Sequence, residues 1–570
     1  MSDFIKVYSK AQGNFSVEKK SDKEYKVKAS WKKNEEKQSM IIELSFPCID
    51  MEFAWQPTCL MNRNLNMTFY SMLTASAPVL AYCNNKGNSV FALALSETKK
   101  RVDFSFNIVE ETAYIKGVIE IGLNQFISDT EYELYLYIDN SEKQLCEACA
   151  EIVKWWDKDN KKEEYIPENA KLPMYSTWYS FHQYLTAEEI EKECVLAKEL
   201  GMETVIVDDG WQTDDVERGY AYCGDWEVCK SKFPDMKKHI QNIHNLGMKY
   251  ILWYSVPFLG ISSKNWDRFK DKTLTFYEEL KAGVLDPRYP DVREFLINTY
   301  KNALVNWDLD GFKLDFIDNF SFAEKTEISD RMDYSCIQEA ADILMKSIRK
   351  ELTKIKPDIM LEFRQGYIGP NMRNYGNMFR VVDCPNNYRF NRVGMVDLKM
   401  LSGNIAIHSD MLMWNENEKV ENAALQILNV LFSVIQFSMR IEKLPQEHLK
   451  MVKFWLDFVL KNKELLQNGK FRAFEPQNFY PVIMSENDNE AIICVYQPNK
   501  VIKVHNTKKT TIINANKSEK VVVDMDYCGE LLVCVYDCMG NFIREEKLKA
   551  INSLIKINVP MSGFCIIDFI

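Results

Sequence analysis

The chain has no apolar run approaching the ~18 residues that a membrane-spanning helix needs, so no transmembrane segment is expected. Its first residues, Met1-Ser2-Asp3-Phe4-Ile5-Lys6, lack the apolar core of a secretory leader, which points to the cytoplasm. Histidine is scarce, with 6 in 570 residues, and the 15 cysteines are scattered and odd in number. Cys146 and Cys149 form the single C-x-x-C, with no second pair at zinc-finger spacing. Free thiols in a reducing compartment are therefore expected, with no structural zinc and no disulfide framework. Positive charge is also short: 71 Lys and Arg face 82 Asp and Glu, a net charge of −11. That balance argues against a nucleic-acid partner, which needs a basic face. No Walker-type glycine loop, no dinucleotide fingerprint after a strand and no G-x-S-x-G elbow occur, so no cofactor is expected.

What the chain does have is an ordinary soluble composition, 46% hydrophobic and 27% charged, over a length that calls for two or three domains. Residues 1–165 read as a β-sandwich of short alternating strands, such as Met40–Phe46, Ser89–Leu95 and Tyr132–Ile138, closed by a helix over 142–157 and a polar linker. Within 170–468 the period changes. Strand-like runs at 174–180, 203–209, 248–255, 311–317, 358–364, 378–384, 404–410 and 432–439 alternate with amphipathic stretches, which predicts a central (β/α)8 TIM barrel. Residues 469–570 return to short β runs, read as a small C-terminal β-sandwich. The fold class is thus multidomain α/β and β.

Several of the buried runs end in acid. Thr204-Val205-Ile206-Val207 leads into Asp208-Asp209-Gly210-Trp211-Gln212, Gly311-Phe312-Lys313-Leu314 into Asp315, and Phe379-Arg380-Val381-Val382 into Asp383. A carboxylate there is costly unless paired or used, and the C-terminal ends of barrel strands are where active sites are built. Asp315 and Asp383 would point into one mouth, as a nucleophile and a general acid/base require; a structural ion pair is the competing account of either. Lys313 shares a strand face with Asp315 and would favour its ionised form. Asp208 and Asp209 suit sugar hydroxyls, or a rim ion pair. Trp178 on the first strand, Trp253 on the third, and Asp225-Trp226 after the second could line a pyranose, although a lone Trp is more often core. Arg364 and Arg380 are weaker candidates. His408-Ser409-Asp410 could be a metal set, a base pair or a rim network, and metal is the least favoured of these.

Taken together, Asp208-Asp209-Gly210-Trp211-Gln212, Gly224-Asp225-Trp226 with Lys232-Phe233-Pro234, and Gly311-Phe312-Lys313-Leu314-Asp315 resemble the family 36 glycoside hydrolases, the melibiase-like bacterial α-galactosidases. The resemblance implies a retaining exo-α-galactosidase acting on raffinose- or melibiose-type oligosaccharides, with Asp315 as nucleophile and Asp383 as acid/base. It also implies that Asp208 and Asp209 hold the 4- and 6-hydroxyls, that Trp253 and Lys313 line the sugar subsite, that Asp225 and Trp226 form its edge, and that Trp211 is among the substrate-binding residues. Arg364, Arg380 and Asp410 are weaker carry-overs, and Asp410 stays open as an alternative acid/base. Many members carry a Cys and a glycine-rich turn after the fifth strand, where this chain has Glu362-Phe363-Arg364-Gln365-Gly366-Tyr367. That departure leaves an α-N-acetylgalactosaminidase or a galactosyl-transferring enzyme as alternatives, beside a non-catalytic carbohydrate-binding barrel. The oligomeric state is not carried over, and a homo-oligomer stays open.

Overall fold

The computed structural model describes residues 4–9, 13–31, 39–57, 64–122, 131–159, 165–321, 328–364, 366–504, 509–551 and 554–570. At its centre eight parallel strands form one sheet: β1 (Met174–Ser176), β2 (Thr204–Val207), β3 (Lys249–Ser255), β4 (Gly311–Asp315), β5 (Met360–Arg364), β6 (Met378–Arg380), β7 (Ala406–His408) and β8 (Gln436–Phe437). They run in the order β7-β6-β5-β4-β3-β2-β1-β8. Parallel bridges His408↔Val434 and Leu412↔Phe437 join the two ends, so the sheet curls into a barrel. Burial on both faces explains why the strands read as unbroken apolar runs: every residue of β2 and of β4 is buried.

Helices α1 (Ala187–Leu200), α2 (Met236–Asn245), α3 (Pro290–Trp307), α4 (Ile337–Ile355), α5 (Tyr388–Leu401), α6 (Val420–Leu428) and α7 (Gln446–Lys461) surround the barrel. Their ends are written in local chemistry. Thr186 caps α1 by accepting from Glu189 N–H, Glu189 reaches back to the Thr186 hydroxyl at 2.9 Å, and Gly201 stops the helix at φ +100°. Proline opens α3, where a missing N–H costs nothing. Between β5 and β6 there is a single 3-10 turn, Pro370–Asn374.

Three differences from the sequence reading matter for the site. The run 174–180 stops being strand at Ser176 and turns into a helical turn, Trp178–Phe181, so Trp178 lies beyond β1 and not on it. The run 432–439 supplies only Gln436–Phe437 as strand, although the residues before it are buried. A small antiparallel sheet that the sequence does not announce, Phe258–Gly260 with Thr273–Tyr277 and Ala282–Leu285, is inserted between β3 and α3.

N-terminal to the barrel, a five-stranded and a seven-stranded sheet face each other over a core that includes Phe46, Tyr82, Phe91 and Phe106. C-terminal to it, a seven-stranded and a three-stranded sheet enclose Ile512, Val533 and Ile567. Both flanks meet the barrel at one buried carboxylate on α5: Asp397 accepts from Trp55 Nε1 at 3.3 Å on the N-terminal side and from Tyr480 Oη at 2.9 Å on the C-terminal side. Among the described residues, no helix is long and apolar enough to cross a membrane.

The strand that carries Asp315 begins at a glycine for a steric reason. A Cβ on Gly311 would stand 2.5 Å from the Met360 carbonyl oxygen and 2.9 Å from Ile251 Cγ1. Gly311→Ala is therefore expected to force β4 away from β5 and to destabilise the chain by about 1–3 kcal/mol, as overpacking does. An unchanged denaturant midpoint would contradict this close approach.

Candidate active site

The C-terminal ends of β2 to β7 bring charged side chains into one buried cluster. Alternation along β4 puts Lys313 and Asp315 on the same side, and parallel register sets Lys313 beside Glu362 of β5 and Arg364 beside Arg380 of β6. Lys313 Nζ donates to Asp208 Oδ2 at 2.5 Å, with both side chains 4% exposed. Asp208 also accepts from Asp209 N–H at 2.9 Å, and its own N–H donates to Thr177 Oγ1 at 2.9 Å.

Among the described residues, Asp315 receives four hydrogen bonds. Phe316 N–H at 2.8 Å, Arg364 Nε–H at 2.6 Å and Tyr367 Oη–H at 3.1 Å all reach Oδ1, whereas Oδ2 receives only Trp253 Nε1–H at 3.2 Å. Phe316 itself adopts φ +64° as the chain leaves β4. Burial pushes the Asp315 carboxyl up, but Arg364, Lys313 and Arg380 outweigh it and hold the group well below the usual carboxylate range.

Asp383 lies three residues past the end of β6, with its side chain 47% exposed and Arg380 Nη2 at 2.8 Å. Burial raises its pKa, but Arg380 and Lys313 bring it below the ordinary value, while the Asp315 charge works against them. Arg380 is fully buried and shared: its Nη1 donates to Asp410 Oδ1 at 2.6 Å, and its Nε lies 3.7 Å from Glu362 Oε1. Asp410 is itself fully enclosed. Its Oδ2 accepts from Cys384 N–H at 2.7 Å and Tyr179 Oη–H at 3.0 Å, and burial pushes its pKa up to about 6. Of the two acid/base candidates, Asp383 faces the opening and Asp410 stands behind Arg380.

The remaining candidates separate. Asp209 diverges from Asp208 and accepts from Gln183 Nε2 at 2.6 Å and Gln212 Nε2 at 2.7 Å, and burial raises its pKa to about 6. Trp253 belongs to the cluster through its bond to Asp315. Trp178 stands at the rim, its ring 5.6 Å from the Arg218 guanidinium. Trp211 does not reach the mouth. It is fully buried behind β3, donates to the Trp253 carbonyl at 2.9 Å and packs on Trp226 and Trp307. Trp226 packs on Trp211, Trp253 and Tyr254 and lines, with Asp225, a cavity of about 420 Å³ against α3. The Asp225 carboxylate is taken up by Ser263 Oγ at 2.7 Å, Lys264 N–H at 3.0 Å and Asn265 Nδ2 at 3.1 Å, so it ties two loops together where a sugar contact was expected. His408 is parted from Asp410 and is fully buried. Its Nε2 lies 2.8 Å from the Ala170 carbonyl, and burial lowers its pKa to about 3. Gln365 lies outside the described residues.

Sequence reasoning missed Glu362, Tyr179, Gln183, Gln212 and Tyr367. Glu362 had a signal, because it alternates with Arg364 on one strand. It is fully buried, accepts from Gln436 Nε2, and is raised in pKa by burial. The tyrosines and glutamines come from loops and, for Tyr179, the short helical turn after β1, and carry no periodic signal.

A family model described as Melibiase matches residues 168–469, more than half of the chain. Among characterised proteins the chain is 28% identical over 149 residues to α-galactosidase AgaA of Geobacillus stearothermophilus. It is 30% identical over 141 residues to α-galactosidase Mel36A of Lactobacillus acidophilus. These matches cover 24% of this chain in each case, and 20% and 18% of the relatives, so they span about a fifth of the relatives' length. The crystal structure of AgaA superposes with a TM-score of 0.65 at 15% identity, over 96% of this chain and 80% of that one. An AgaA variant in complex with raffinose gives 0.66 at 14% identity, over the same 96% and 80%. At this identity the likeness establishes the fold.

Because Arg380 alone joins three carboxylates from the buried side, Arg380→Met should cost about 3–5 kcal/mol, the scale for stranding buried charge. Asp383→Ala, at a half-exposed position, should change stability by less than about 0.5 kcal/mol. Denaturant unfolding of the two variants checks this, and equal costs would refute the shared role of Arg380.

Proposed function

The chain belongs to the melibiase family, and we propose that it is a retaining exo-α-galactosidase that removes terminal α-galactosyl units from raffinose- or melibiose-type oligosaccharides in the cytoplasm. The observation that carries the reading is Asp315: a buried carboxylate kept ionised by three cations at the mouth of a barrel, with a second, half-exposed carboxylate on the same cluster. In this reading Asp315 attacks the anomeric carbon while Asp383 protonates the departing oxygen. Water then hydrolyses the glycosyl-enzyme with Asp383 as base. Asp208 and Asp209 accept from the sugar hydroxyls, and Lys313 holds Asp208 and shares its charge with Asp315. The substrates come by analogy with the relatives, one of which was crystallised with raffinose. A division of the chain near 1–165, 170–468 and 469–570 accompanies this proposal, with the chemistry in the central part.

The environment of Asp383 gives the acid/base cycle a physical basis. Held by Arg380 and Lys313, the carboxyl sits below its ordinary pKa, so it is ionised at neutral pH. A bound aglycone covers the exposed oxygen, strips its water and raises the pKa, which favours the proton needed for the first step. Once Asp315 becomes an ester its negative charge is gone, the pKa of Asp383 falls, and the group is ready to act as base.

Release of p-nitrophenol from the α-galactoside, tested beside the α-glucoside and the α-N-acetylgalactosaminide, checks the substrate. Turnover of another sugar alone would overturn the specificity, and silence on all three would favour a binding role. Asp315→Ala should lose activity by at least about 10³-fold, and Asp383→Ala should recover turnover of an activated substrate when azide is supplied. Because substrate raises the pKa of Asp383, the basic limb of kcat should lie at higher pH than the basic limb of kcat/KM with a poor-leaving-group substrate such as raffinose, for which the first step limits kcat. Coincident limbs would count against Asp383 as the acid.

A further inference from the structure

The two oxygens of Asp315 are not equivalent. Oδ1 is held by Phe316 N–H, Arg364 Nε–H and Tyr367 Oη–H at 2.8, 2.6 and 3.1 Å. Among the described residues Oδ2 has one weaker donor, Trp253 Nε1–H at 3.2 Å. A lone pair engaged by three donors, one of them cationic, is a poor nucleophile, so Oδ2 is the oxygen free to bond carbon. Arg364 is itself well fixed: its side chain is 17% exposed, its Nη2 lies 3.8 Å from Asp318 Oδ1, and its guanidinium sits 5.1 Å from the Phe316 ring centre.

We propose that Arg364 is a positioning residue for the second half of the reaction: it anchors one oxygen of Asp315, leaves the other to bond the sugar, and stabilises the carboxylate that departs when the glycosyl-enzyme is hydrolysed. The proposal rests on the reading of Asp315 as nucleophile. In the first step Oδ2 bonds the anomeric carbon, the bond from that carbon to the aglycone oxygen breaks with its electron pair, and Asp383 supplies the proton. Asp315 loses its charge, and Arg364 loses its ionic partner. In the second step a water oxygen bonds the anomeric carbon, its proton passes to Asp383, and the carbon–Oδ2 bond breaks with its electron pair returning to Asp315. The charge that reappears is shared with Oδ1, directly on Arg364 Nε. The arginine therefore favours the second step, while in the first it stabilises the carboxylate that must attack.

The two steps separate in kinetics with p-nitrophenyl α-galactoside, where kcat/KM reports the first and kcat the second when the second is limiting. Arg364→Met is expected to lower kcat by about 10²–10³-fold, the scale for losing one donor to a developing anion. Its kcat/KM should fall far less, a stoichiometric burst of p-nitrophenolate should appear, and a hexosyl-enzyme should accumulate in intact mass spectra. Arg364→Lys should restore part of kcat. Equal falls in both constants with no burst would overturn the proposal and leave Arg364 a structural ion-pair partner. Should Arg364→Met fail to fold, Tyr367→Phe, which takes a neutral donor from the same oxygen, carries the test by the same split at smaller size. Absence of turnover by the unaltered chain would overturn the galactosidase reading and this proposal with it, an outcome distinct from a failure confined to the Arg364 variants.

Discussion

More carboxylates than cations gather at the mouth of the barrel, and where the cations stand decides what each carboxylate can do. Asp208, Asp209, Asp315, Glu362, Asp383 and Asp410 meet Lys313, Arg364 and Arg380. An isolated ion in such a place is strongly disfavoured, so each acid either finds a cation or holds a proton. Asp315, which feels all three cations, is pulled well below the usual carboxylate range. Glu362 and Asp209, with weaker help, are raised. Asp410 is raised too, to about 6, although Arg380 touches it, because its enclosure outweighs one shared cation. The cluster therefore places acids of the same chemical type in different electrostatic environments, some lowered and some raised.

Parallel register produces this arrangement. Arg364 and Arg380 are cross-strand partners on β5 and β6, two like charges side by side. Alone they would repel. They are tolerated because each leans to its outer side: Arg364 toward Asp315 on β4, and Arg380 toward Asp383 and toward Asp410 past β7. The acids are thus set apart on either side of a cationic divide, which keeps the proposed nucleophile and acid/base from merging into one carboxylate pair that shares a proton. Arg380 serves both halves, since it lowers Asp315 as well as Asp383.

Much of this was legible in the residues. Strands such as Thr204–Val207 and Gly311–Asp315 announced themselves as buried runs ending in acid, and Lys313 beside Asp315 follows from a period of two. Trp211 and Trp178, unlike Trp253, stand elsewhere than expected for a reason that sequence cannot supply. Trp211 follows the Asp208-Asp209 pair by two residues and sits behind β3, because Gly210 at φ +109° turns the chain away. A Cβ on Gly210 would meet Gln183 Cα at 2.7 Å. Position along a strand is encoded in the pattern, but the direction in which a loop leaves the strand is not. The same holds for Asp225, whose partners at 263–265 lie nearly forty residues on. Trp178 was placed on a strand because Met174–Ser180 reads as a continuation of the apolar run, whereas Thr177 turns the chain and its hydroxyl oxygen accepts from Asp208 N–H.

Asp208 and Asp209 show how far environment separates neighbours. Asp208 is bound to a lysine and lies within the charged cluster. Asp209, one residue on, is held by two neutral amides and is close to half protonated near pH 6. Amide donors favour the carboxylate but bring no positive charge, so burial and the Asp208 charge are not fully offset. A sugar hydroxyl that donates to Asp209 adds a third hydrogen bond to the ionised form and lowers its pKa. Binding and ionisation at this residue are then linked: ligand draws the proton off, and a proton weakens the ligand by the same free energy. In the proposed reading, where Asp209 contacts the non-reacting end of the ring, sugar affinity would thereby be tied to pH through a group separate from Asp315 and Asp383.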